Sequence, residues 1–62
     1  MATFKLSFSV DNDAFADNMA FEVAGILKEA SDYIMENGVP EMYKSILDPN
    51  GNRIGAYALK EG

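Results

Sequence analysis

From Thr3 to Val10 apolar and polar residues alternate, with Phe4, Leu6, Phe8 and Val10 on one side and Thr3, Lys5, Ser7 and Ser9 on the other. A period of two is the mark of a half-buried strand. Asp11-Asn12-Asp13 breaks it with short side chains that bond to nearby backbone. Ala14-Phe15-Ala16 then reads as a loop, with Phe15 tucked under the start of the next element.

That element has a helical period. Residues set ~100° apart bring Met19, Val23, Leu27, Ala30 and Ile34 onto one stripe, flanked by Ala20, Ala24 and Ile26. Glu22, Glu29, Asp32 and Glu36 fall on the opposite side with Gly25. Asp17 or Asn18 suits the N-cap. Asn37-Gly38 ends the helix, because Gly38 can take the left-handed stop and Pro40 prevents a restart. Phe21 lies off the buried stripe. The pattern predicts packing against Phe15, with an exposed anchor for a partner as the alternative.

Asp48-Pro49-Asn50-Gly51-Asn52 joins two β-prone runs, residues 43–47 and 53–59, and predicts a hairpin. Asp first, Pro second, Asn third and Gly fourth suit a type I turn followed by a glycine bulge. The order strand, helix, strand, strand implies an α+β fold: a β-α-β-β chain with one helix packed on a three-stranded antiparallel sheet, strand order 1-3-2. In the simplest hairpin register Ile46 faces Ile54, and Ala56 and Ala58 lie under the helix with Lys44. The other face then carries Thr3, Lys5, Ser7, Ser9, Tyr43, Leu47, Arg53, Tyr57 and Leu59, a natural contact patch.

Sixty-two residues make a single domain near the lower limit for folding without staples. The chain has no cysteine and no histidine, so it lacks disulfides, the usual soft-metal ligands and the commonest general base. No cofactor is expected. No apolar run reaches ~18 residues and no basic-then-apolar leader is visible, which points to residence in the cytoplasm rather than in a membrane. Ten acids against five bases give a net charge of −5. That disfavours direct binding to phosphate backbones and favours basic partners or imitation of a polyanion.

Two acid-bearing segments, Asp11 to Glu22 and Asp48 to Asn52, have partial calcium-loop spacing. The first has Phe15 in place of a ligand and Ala16 in place of the required glycine; the second has its glycine too early and no closing glutamate. Capping and turn chemistry account for both. Tyr43 and Tyr57, opposite each other in the expected register, could stack on bases, but a cross-strand aromatic pair is also a stabilising unit in itself. Nothing in the pattern encloses a pair of carboxylates, so an enzyme is not expected.

The alternating first strand, Asp11-Asn12-Asp13-Ala14-Phe15, Glu22 with Ile26-Leu27, and Asp48-x-Asn50-Gly51-Asn52-x-Ile54-Gly55 together resemble a recurrent type of small protein encoded by bacteriophages and prophages. Many accessory proteins of that kind inhibit host defence, including anti-CRISPR proteins that block DNA-binding surfaces. The resemblance implies a non-enzymatic inhibitor of a host protein or nucleoprotein complex with a basic surface. Glu22, Glu29, Asp32 and Glu36 would supply the charge, and Tyr43 and Tyr57 the packing anchors. The rival expectation is an assembly protein that forms a homodimer through its exposed Tyr43/Tyr57 sheet face or a free strand edge.

Overall fold

The computed structural model describes residues 1–61. Strand β1 (Ala2–Phe8) leads through a short 3-10 turn (Asp13–Phe15) into helix α1 (Met19–Asn37). Strands β2 (Lys44–Leu47) and β3 (Arg53–Glu61) follow. The sheet order is β1-β3-β2 with both pairings antiparallel, the expected topology.

Local chemistry places each boundary. The Asn18 side chain accepts from the Phe21 amide and caps α1. Gly38 (φ 85°) closes it, its amide donating to the Ile34 carbonyl at 2.8 Å. At the hairpin the Gly51 amide bonds to the Asp48 carbonyl at 3.0 Å, and the Asp48 amide to the Asn52 carbonyl at 2.9 Å. Gly51 takes φ 87°, completing the type I turn and its glycine bulge.

A second irregularity resets β3. Leu47 pairs with Arg53 but Ile46 pairs with Gly55, so Ile54 is skipped as an extra residue. A one-residue slip moves every later side chain to the opposite face. Leu6 and Lys44 flank Tyr57, and Phe4 flanks Leu59, all on the helix side. The expected register is therefore corrected: Tyr57 and Leu59 turn in, while Ala56 and Ala58 turn out. Ile54 still packs on the core because the bulge leaves its side chain on the same side as Ile46.

The core comprises Phe15, Ile26, Ala30, Ile46 and Tyr57, with Leu6, Phe8, Val23 and Tyr33 around it. Phe15 is fully buried and stacks on Phe8, ring centroids 6.3 Å apart. Tyr57 is 3% exposed and sits between the Phe4 ring at 6.1 Å and the edge of Tyr33 at 6.3 Å. The helix is rotated from the expected stripe toward Ile26 and Tyr33, which leaves Leu27 and Met19 about half exposed. Tyr33 rather than Leu27 fills the space above Tyr57.

Burial, and secondarily the neighbouring Tyr33, raise the Tyr57 phenol above its ordinary value of 10.0. The unfolded chain then ionises first. Stability is full below pH 10.0 and falls as the pH rises through the folded value. Chemical denaturation across alkaline pH should show this loss, and Tyr57→Phe should flatten it; an unchanged slope would place the titration elsewhere.

Candidate interaction surface

Glu22, Glu29 and Glu36 are spaced by seven residues, which returns each to within about 20° of the last. They form one row. The rotation of α1 carries this row onto the shoulder that overhangs β2, rather than onto the crest opposite the sheet. Glu22 is half-buried beside Phe21 and Gly25, and Glu29 lines the groove between α1 and the β2 edge. Glu36 is exposed, and Asp32 lies nearer the crest, where the Lys28 ammonium approaches it at 3.3 Å. That pair is well exposed and contributes little to stability.

The groove has an apolar margin. Phe21, 70% exposed, stands there with Gly25 and Pro49, while Leu47 lends its backbone to the lining and pairs with Arg53 on the open sheet face. Phe21 thus takes the exposed alternative rather than the expected packing on Phe15, which is buried beside Phe8. A Cβ built on Gly25 would meet nothing within 4 Å, so the helix backbone there is open to an approaching partner. Farther along, Tyr33 and Lys44 line the same groove, the Lys44 ammonium lying 4.9 Å from the Tyr33 ring centre. The β2 edge supplies backbone as well. Asp48 bonds to Asn52, so alternate residues Ile46 and Lys44 face β3, and the amides and carbonyls of Ser45 and Leu47 point into the groove.

The residues proposed as packing anchors do not join this surface. Tyr57 is a core residue, which corrects its assignment as a contact. Tyr43 is 54% exposed but lies on the open sheet face, where Lys60 sits 4.6 Å from its ring centre. The cross-strand tyrosine pair on which base stacking or dimerisation through the sheet face would rely does not form. In its place that face carries half-buried Ala56 and fully buried Ala58 among Thr3, Lys5, Ser7 and Ser45, with Arg53 and Lys60. It thus carries three of the five cations, while the carboxylates of the Glu22 row lie on the other side of the sheet.

The Asp48 segment is a junction, not a cation loop. Asp48 is 6% exposed, and its carboxylate accepts from the Asn50 and Asn52 amides at 2.9 Å each. The side chains of Asn12 at 2.8 Å and Asn52 at 3.3 Å complete the set. Four N–H donors aimed at one carboxylate hold its pKa below the ordinary value, the Asn52 amide contributing most. Asn12 also accepts from the Ala14 amide, so one side chain ties the 3-10 turn to the hairpin. Among the described residues no three acidic side chains converge as metal ligands would, and no helix is long and apolar enough to cross a membrane.

No protein-family model matches the chain, and no curated protein or solved structure matches it.

Proposed function

We propose that the chain is a non-enzymatic inhibitor whose acidic helix shoulder, with the groove below it, occupies a basic nucleic-acid-binding surface on a host protein complex. The phage-like pattern of its sequence makes an anti-CRISPR-like role the specific form of this reading. The observation that carries it is the union of Glu22 and Glu29 with exposed Phe21 at one groove, Glu36 continuing the same helical row. Charge alone steers encounters and sets specificity, whereas tight contacts need a desolvated apolar anchor. Here the two lie side by side.

Capture from a bacterial host lysate tests it, comparing the parent with Glu29→Lys/Asp32→Lys. The parent should retain a nucleic-acid-binding partner, release it as salt rises, and yield it to competing DNA. The reversed variant should retain at least about tenfold less, the loss of ~1.4 kcal/mol or more that two opposed charges would cause. Gly25→Ala separates contact from folding. It should raise helix stability by about 0.5–1 kcal/mol while crowding the groove and weakening capture. Capture that is indifferent to charge reversal, or not competed by DNA, removes this function.

A further inference from the structure

We propose that the outer edge of β1, with the apolar strip beside it, seats a second copy of this chain. β1 pairs on one side only, with β3, along its whole length. The Ser9 amide donates to the Ile54 carbonyl at 2.9 Å, so odd-numbered residues of this strand face β3. By the alternation of an antiparallel ladder, the amides and carbonyls of Phe4, Leu6 and Phe8 point outward. Ala2–Phe8 contains no proline and no bulge, and its single charge, Lys5, projects from the open sheet face. An edge so little blunted is a template for another strand.

Beside that edge Phe4, Leu6, Leu27, Ile34 and Met35 line an apolar depression. Phe4 is 43% exposed, Leu27 46% and Met35 84%. Three observations favour a second copy as the occupant. The first is charge: no residue lining this strip is acidic, whereas the groove on the β2 side carries Glu22 and Glu29. A chain of net charge −5 can meet itself here without opposing carboxylates. The second is register. A two-fold axis through Phe4 or Leu6 sets Lys5 against Thr3 or Ser7 of the other copy, so the edge is self-complementary. The third is the thin core: among the described residues, Phe15 is the one large side chain below 2% exposure, and the chain has no cysteine to staple it. Domains this short are commonly completed by association. Pairing would make one six-stranded sheet and cover Phe4, Leu27 and Met35.

Sedimentation equilibrium of the full chain from about 10 μM to about 1 mM reads the outcome. The parent should approach twice the 6.8 kDa of one chain, and Leu27→Glu/Met35→Glu should remain at that single mass with an unchanged far-ultraviolet spectrum. Phe21→Glu/Leu47→Glu, in the opposite groove, should associate like the parent. Hydrogen exchange of the parent gives a second readout that needs no variant: the Phe4, Leu6 and Phe8 amides should slow as concentration rises. A parent that stays at 6.8 kDa at about 1 mM overturns the proposal. So does exchange at those amides that ignores concentration, or a dimer lost in the Phe21/Leu47 variant and kept in the Leu27/Met35 variant. Failure here leaves the contact at the β2 groove standing, since the two edges are separate.

Discussion

Gly55→Ala should lower the thermal midpoint by more than about 10 °C, the largest effect expected of any single methyl group in this chain. The reason is a close approach. A Cβ on Gly55 would run into the Ser7 carbonyl oxygen and lie 2.5 Å from Phe8 Cα and 2.6 Å from Phe8 Cβ. Two of those atoms are backbone, so no rotamer change relieves the overlap and β1 must move off β3. Overpacking of this kind costs about 1–3 kcal/mol or more, and a small domain holds on the order of 5 kcal/mol in all. Because Gly55 follows the skipped Ile54, displacing it also strains the bulge that keeps Tyr57 and Leu59 under the helix. Thermal melts and a proton–nitrogen correlation spectrum would read the result. A variant that melts within about 3 °C of the parent would mean that β1 can yield freely here. Gly25→Ala, with open space around the added methyl, should shift the midpoint the other way.

That bulge also marks where pattern reading stops. The phase of β1 was legible because Phe4, Leu6 and Phe8 alternate with Thr3, Lys5 and Ser7. The type I turn was legible because Pro49 and Gly51 have few other uses in that order. So were the caps at Asn18 and Gly38, and with them the strand order. β3 is apolar in both phases: Ile54, Ala56 and Ala58 in one, Tyr57 and Leu59 in the other. Periodicity therefore could not choose between them. Side-chain volume could have, since a thin core is better filled by Tyr and Leu than by two alanines. An isolated glycine in a strand was the remaining hint of a bulge.

The candidate surface was legible to a similar depth. The acidic residues were named correctly as helix-borne, but their tilt toward β2 depends on Tyr33 packing against Tyr57, a contact that exists only once β3 is in its true phase. The exposure of Phe21 follows from its place off the buried stripe. The tilt is a long-range consequence of sheet register, invisible in a helical wheel; the exposure of Phe21 was visible there. The outcome is a molecule with distinct sides: carboxylates and Phe21 at the β2 groove, cations on the open sheet, and apolar surface with free backbone at β1.

Asp48→Ala should lower the midpoint by roughly 10 °C or more, by stranding several donors at once. The carboxylate satisfies the Asn50 and Asn52 amides in the turn, and through Asn12 it binds a segment 36 residues away in sequence. Asn12→Ala should lose the tether and spare the turn, with a smaller fall. The two effects should not add, since both variants break the same bond. Asp48→Asn distinguishes charge from shape, because it keeps one acceptor oxygen and sets an NH₂ group against neighbouring donors. The pH dependence has a definite sign. With its pKa lowered in the folded state, Asp48 contributes stability that is present above the ordinary 3.8 and is lost as the pH falls through the lower folded value. Denaturation between neutral pH and pH 3 should therefore show an acid limb in the parent that is weaker in Asp48→Asn. Identical acid limbs would mean that this carboxylate is held no more firmly than an exposed one. The hairpin would then have to find its anchor elsewhere.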